Sequence, residues 1–256
     1  MTAEEQAQGE FLMFPGFDRQ PIRLSHPFLL DSSLYRHTRR NCVLVAVNFS
    51  LEHFSTDLFR YFSIDFPAQM NRAVPKRQAE FLAGRLSAKL ALQQLEPRTF
   101  DTVTIGTGEH RQPLWPDQIK GSITHTKHRA MCLVTNDAQI DVIGIDTEHE
   151  HSAETVTQIG AQIFNEDEFN KLRALGFSNT QSSTLLFSSK ESIFKALYPQ
   201  VGEYFGFECA RFISGDRQSQ TLTLELLGSF SKRHGLPDLI NIQYVINDNS
   251  ITTLIL

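Results

Sequence analysis

Apolar residues run unbroken through Val43-Leu44-Val45-Ala46-Val47 and resume at Phe49. Their β-branched content predicts a buried strand. Further on, Ala79, Leu82, Ala83, Leu86 and Leu90 keep helical spacing. Pro75 suits the first turn of that helix, and Pro97 bounds its end. Lys76, Arg77, Arg85 and Lys89 fall on or near its polar side. Residues 106–121 carry Gly106, Gly108, Pro113, Pro116 and Gly121, which is loop punctuation around Trp115. Met131–Thr135 and Gln139–Glu148 look like a hairpin pair about Asn136-Asp137-Ala138. Helical stretches are expected over Thr155–Phe164, Asn165–Leu175 and Thr180–Leu197, the last stopped by Pro199. Asn165 and Glu168 give the second a partial capping signal. Phe207–Ile213, Thr221–Leu227, Ile240–Ile246 and Ile251–Leu256 alternate as strands of an antiparallel sheet. Helices and strands segregate in runs, which predicts an α+β fold. Residues 1–10 read as a frayed tail.

Composition narrows this little. The 256 residues are 41% hydrophobic and 21% charged, which is ordinary for a globular chain. Twenty phenylalanines against one tryptophan predict a phenylalanine-rich core. The net charge of −5 argues against a general nucleic-acid coat protein. Cys42, Cys132 and Cys209 are far apart and form no CxxC, so buried free thiols are expected. The start, Thr2-Ala3-Glu4-Glu5-Gln6, lacks the basic and apolar regions of a signal peptide. The best apolar run, Cys42 to Val47, is too short to cross a bilayer. The expectation is a cytoplasmic monomer with no membrane and no nucleic-acid partner.

Candidate chemistry sits in two acidic segments. In Val142-Ile143-Gly144-Ile145-Asp146-Thr147-Glu148, strand alternation sends Asp146 and Glu148 to one face. Gly144 shares that face and leaves room there for a ligand, while Ile143 and Ile145 face the core. Two adjacent carboxylates repel and call for a cation, and oxygen donors suit Mg²⁺. His149 and His151 follow and read as surface residues. In Phe187-Ser188-Ser189-Lys190-Glu191-Ser192-Ile193-Phe194-Lys195, Glu191 and Lys195 share a helix face, with Ser188 one turn before. Lys190 adds a second cation. Either segment alone is a common surface pattern; together they suggest three carboxylates and a lysine around one divalent cation. Gly121-Ser122-Ile123-Thr124-His125-Thr126-Lys127-His128-Arg129 offers hydroxyls and cations for phosphate oxygens. GxxxxGK[ST] is absent, no glycine fingerprint follows a strand, and there is no GxSxG, so P-loop, Rossmann and hydrolase-elbow readings lack support.

In order along the chain, these segments resemble the 4′-phosphopantetheinyl transferases, most closely the surfactin-type and enterobactin-synthase-component-D branch. The match covers Lys76-Arg77-Gln78-Ala79-Glu80-Phe81-Leu82-Ala83-Gly84-Arg85, Pro113-Leu114-Trp115-Pro116, Gly121 to Thr126, Gly144 to Glu148, and Phe187 to Pro199. Phe187 stands where many relatives have Trp, and Thr124 where many have Ser.

The resemblance implies an α+β fold of two similar halves with pseudo-two-fold symmetry and the active site in the cleft between them. The halves would be residues 1–137, carrying the basic helix and Thr-His loop, and 138–256, carrying the carboxylates and catalytic helix. Asp146, Glu148 and Glu191 would bind Mg²⁺, and Glu191 would instead or also deprotonate the attacking serine. Lys195 would neutralise phosphate charge or assist proton transfer. Arg77, Arg85, Arg111, Thr124, His125 and Lys190 would hold coenzyme A, the substrate. The partner would be an apo acyl or peptidyl carrier domain of siderophore, polyketide or fatty acid biosynthesis. The competing expectations are a metal-dependent nuclease or phosphohydrolase and a non-catalytic binder of coenzyme A or carrier domains.

Overall fold

The computed structural model describes residues 14–256 except Arg23, 100–102 and Asp248. The tail expected over residues 1–10 lies outside the described residues. The described residues divide into two compact units, Gly16–Ile140 and Asp141–Leu256, the latter joined by Phe14 and Pro15.

The first unit contains β1 (Phe17–Gln20), β2 (Leu29–His37), β3 (Cys42–Phe49), α1 (Asp57–Tyr61), a 3-10 turn over Ala68–Arg72 and α2 (Pro75–Leu95). Two short strands, β4 (Gly106–Thr107) and β5 (Pro113–Leu114), precede β6 (Lys120–His125) and β7 (Arg129–Thr135). The sheet is antiparallel in the order β1-β2-β3-β7-β6. Its middle strand β3 is the unbroken apolar run, with Val43, Leu44, Val45 and Val47 fully buried. Helix α2 starts with Pro75 at its first turn and lies on this sheet. Ala79, Leu82, Ala83 and Leu86 join Val45, Val47 and Cys132 in one core cluster. Small residues let the helix lie close: a Cβ on Gly84 would stand 3.2 Å from Ile123 of β6. The α2–β6 approach decides which basic side chains meet.

The second unit contains β8 (Gly144–His149), α3 (Ala153–Ile163), α4 (Glu166–Ala174), α5 (Asn179–Val201), β9 (Ala210–Asp216), β10 (Thr221–Leu226), α6 (Gly228–His234), β11 (Leu239–Asn247) and β12 (Ser250–Ile255). Its antiparallel sheet runs β8-β12-β11-β10-β9. Leu185, Leu186, Ile193 and Leu197 of α5 cluster with Phe212, Leu224, Ile242 and Ile251 of the sheet. Full capping boxes start α4, through Asn165 and Glu168, and α5, through Ser178 and Gln181. Both units share one motif: the strand before the long helix pairs with the unit's last strand, β3 with β7 and β8 with β12.

The α+β expectation holds, and three local expectations are corrected. Met131–Thr135 and the strand beginning at Gly144 do not form a hairpin. β7 pairs with β3 and β6, whereas β8 pairs with β12 in another sheet. Thr135 ends β7 by donating its hydroxyl to the Asn41 carbonyl at 2.7 Å and accepting from the Asp137 amide at 3.0 Å. Pro199 does not stop α5, which continues to Val201. In a final turn the proline deletes only one backbone bond, and Gly202, at φ 74°, closes the helix in the left-handed conformation. Phe207–Cys209 is a 3-10 turn, so β9 starts only at Ala210. Cys42 and Cys132 are buried free thiols; Cys209 is free but half-buried.

Candidate functional site

The acidic group in the second unit follows from one close approach. On β8, Gly144, Asp146 and Glu148 share the face that meets α5. A Cβ on Gly144 would stand 2.1 Å from the Ser192 carbonyl and 3.0 Å from the Ala196 Cβ. The glycine therefore makes room for the helix, not for a ligand as expected from sequence. With α5 this near, Lys195 Nζ donates to Asp146 Oδ1 at 2.6 Å, and the Asp146 side chain is only 3% exposed. Glu191 lies one turn before Lys195. Burial raises the Glu191 carboxyl, with Lys195 opposing and Asp146 adding to the shift. Glu148 is pushed up to about 8 by burial first, then by Asp146, against the pull of Lys195, with Glu191 adding to it. Three carboxylates thus feel one another while one ammonium sits among them.

Among the described residues, no three His, Cys, Asp or Glu side chains are already drawn together as a ligand set for a metal ion. The donor chemistry nevertheless fits a hard divalent cation. All three groups offer oxygen and are partly or wholly shielded from water, and the raised proton affinity of Glu148 and Glu191 marks a deficit of positive charge. His149 is exposed as expected, but His151 is half-buried, with Nδ1 2.9 Å from Ser183 Oγ.

The first unit holds a separate basic group. His125 and Ile123 of β6 face α2, so His125 Nε2 lies 2.6 Å from Arg77 Nη1. An arginine only donates, so Nε2 accepts and the imidazole proton belongs on Nδ1. That nitrogen faces Glu80 Oε2 at 3.8 Å, and Glu80 also stands 3.4 Å from Arg77. Beside Arg77 opens a pocket of about 530 Å³, lined by Arg72, Arg77, Phe81, Thr107 and Arg111 among others. Three guanidiniums, no carboxylate and an aromatic ring suit a phosphorylated, ring-bearing ligand.

Residues 66–135 match the 4′-phosphopantetheinyl transferase N-terminal domain, and residues 142–246 match the 4′-phosphopantetheinyl transferase superfamily. Over 187 residues the chain is 34% identical to enterobactin synthase component D of Salmonella typhimurium, covering 73% of this chain and 75% of that one. The chain belongs to the 4′-phosphopantetheinyl transferase superfamily. Two more relatives of this transferase are Npt of Nocardia iowensis and Svp of Streptomyces mobaraensis. The first is 31% identical over 72% of this chain and 84% of its own, the second 33% over 64% and 67%.

Within the transferase, Asp146, Glu148, Glu191 and Lys195 come together, as do Arg77 and His125, and Arg111 shares the pocket with Arg77. Thr124 is buried on the face of β6 opposite His125. Two residues expected to hold the substrate are occupied elsewhere. Lys190 is buried, donating to the Ile163 carbonyl at 2.7 Å and pairing with Glu168 at 2.9 Å. Burial lowers its pKa, and Glu168 opposes that shift. Its ammonium braces α5 against α3 and α4 rather than facing a phosphate. Arg85 is only 5% exposed and is pushed down to about 10 by burial. It donates to the Gly106 carbonyl at 3.1 Å and Thr107 Oγ1 at 2.9 Å, so it fixes the strand that carries Thr107 into the pocket. Arg72, Phe81, Thr107 and Glu80 were not singled out from sequence. For Arg72 the available signal was the basic run that continues through Pro75 into Lys76 and Arg77.

Proposed function

We propose that this transferase moves 4′-phosphopantetheine from coenzyme A to a serine of an apo acyl or peptidyl carrier domain and releases 3′,5′-ADP. One observation carries the reading: Asp146, Glu148, Glu191 and Lys195 gather where α5 meets β8 at Gly144. The name enterobactin synthase component D supports a siderophore-type carrier as the first to test.

In the first unit, Arg77, Arg111 and His125, joined by Arg72, hold phosphate at the nucleotide end, and Phe81 supplies an apolar surface. Arg85 keeps Thr107 in place, while Thr124 is buried on the opposite face of β6. In the second unit, Asp146, Glu148 and Glu191 would hold Mg²⁺. When bound, the cation withdraws charge from the diphosphate and stabilises the leaving phosphate. Glu191 accepts the proton of the carrier serine as its oxygen bonds to the β-phosphorus. The bond from that phosphorus to the bridging oxygen breaks, and 3′,5′-ADP departs with the electron pair. Lys195, anchored on Asp146, offsets charge on the phosphates and keeps the Asp146 oxygen aimed.

The test is to incubate the protein with coenzyme A, Mg²⁺ and apo peptidyl carrier domains and weigh the carrier. A gain of one phosphopantetheine is expected. Glu191→Gln should lower kcat by about 10²–10⁴-fold, the usual worth of a general base. No gain on several carriers would overturn the reading; full activity of Glu191→Gln would overturn the role of Glu191.

A further inference from the structure

Where helix α5 passes over β8 and β12 it presents Ser188, Ser192 and Ala196, spaced one turn apart, while its large apolar side chains pack on the rest of the sheet. Ser188, Ser192 and Thr253 of β12 are all fully buried. Thr253 Oγ1 lies 2.9 Å from Ser188 Oγ and 2.7 Å from Ser192 Oγ. It also donates to the Ser188 carbonyl at 2.9 Å, and Ser192 Oγ reaches the Thr253 carbonyl at 3.2 Å. One donor assignment satisfies the set. The Thr253 proton goes to the Ser188 carbonyl, the Ser188 proton to Thr253 Oγ1, and the Ser192 proton to either Thr253 oxygen.

Thr253 is also the direct partner of Asp146 in the β8–β12 register. The threonine that grips two turns of α5 thus stands beside the aspartate that meets Lys195. Glu191 and Lys195 flank Ser192 on the same helix. Gly144 sets how near the helix lies to β8, but a contact of that kind does not fix its position along its own axis. Apolar residues at these three sites would bury similar surface with little preference for one register. The three hydroxyls are satisfied together in this arrangement, and an axial shift of α5 by about 1 Å would stretch or break these bonds.

We propose that Thr253, acting through Ser188 and Ser192, is a positioning residue that holds Glu191 and Lys195 at Asp146. The proposal rests on the transferase reading above for its kinetic consequence, but its geometric consequence is independent of it. Thr253→Val keeps the shape and removes the hydroxyl; Thr253→Ser keeps the hydroxyl.

Thr253→Val should lower kcat for carrier labelling about tenfold or more while KM for coenzyme A stays within about twofold, because sub-ångström to ångström displacement of reacting groups is costly. Thr253→Ser should restore kcat to within about twofold. Ser192→Ala should act in the same direction, and the double variant Ser192→Ala/Thr253→Val should be no slower than Thr253→Val alone. In crystal structures, the Lys195–Asp146 contact of 2.6 Å should lengthen beyond ion-pair range in Thr253→Val. If that variant does not fold, Ser192→Ala carries both measurements. An unchanged Lys195–Asp146 contact overturns the proposal whatever the activity. Wild-type kcat in Thr253→Val, or failure of Thr253→Ser to rescue, overturns it too. Absence of transfer by the wild-type protein defeats the functional reading and leaves the crystallographic arm to decide the positioning role.

Discussion

Arg111 carries its guanidinium on a backbone at φ 67°, in the left-handed region that L residues other than glycine seldom adopt. The Arg111 amide donates to the Gly108 carbonyl at 3.0 Å, and Gly108 in turn donates to Gln112, so a tight turn imposes the angle. Glycine would adopt this conformation at no steric cost, so the arginine is there for its side chain, which lines the basic pocket. Replacing Arg111 with glycine should therefore separate binding from stability. We expect KM for coenzyme A to rise about tenfold, the value of one lost charge-assisted phosphate contact, while the melting temperature is unchanged or slightly higher. Steady-state kinetics and a thermal melt on the same preparation check it; a lower melting temperature with unchanged KM would make Arg111 a structural residue only.

Among elements, the α5–β8 contact decides the site, and Gly144→Ala probes it. The added Cβ would fall 2.1 Å from the Ser192 carbonyl, a backbone atom that cannot turn aside. The helix must move, costing about 1–3 kcal/mol as overpacking does, and the Lys195–Asp146 pair moves with it. Chemical denaturation and carrier labelling should therefore fall together in this variant, unlike in Arg111→Gly. The same contact shows where sequence reading reaches its limit. β3, α2 and α5 were legible because their periodicity is local: an unbroken apolar run, and apolar residues at helical spacing behind Pro75. The carboxylates and Lys195 were legible because i+2 on a strand and i+4 on a helix dictate faces. β1 and β2 were missed because Phe17–Gln20 is largely polar and Leu29–His37 lacks alternation around the buried Ser33. Gly144 was assigned to ligand space because only the fold says what approaches a glycine. Arg85 and Lys190 were assigned to phosphates because their partners, Gly106, Thr107 and Glu168, lie 21 or more residues away in sequence.

For the whole molecule, the raised carboxyls of the acid cluster predict a stability that depends on pH, and the proposed cation site predicts a response to Mg²⁺. In the folded protein Glu148 is pushed up to about 8 from its ordinary 4.5. Between those values the folded state keeps a proton that the unfolded chain has released. Stability therefore declines as pH rises, and the contribution, fully present below about 4.5, is gone once pH passes about 8. The raised Glu191 carboxyl pushes in the same direction. A cation held by these oxygens needs the carboxylates ionised, so at low pH it must displace protons and gains little. At high pH it replaces the missing positive charge and stabilises the fold by mass action. With chelator present, the melting temperature should fall between pH 6 and pH 8.5, and millimolar Mg²⁺ should raise it far more at pH 8.5 than at pH 6. Glu148→Gln should flatten the chelated profile and remove most of the Mg²⁺ response at high pH. Equal Mg²⁺ shifts at the two pH values in the wild-type protein would mean that the cation does not sit on these carboxylates.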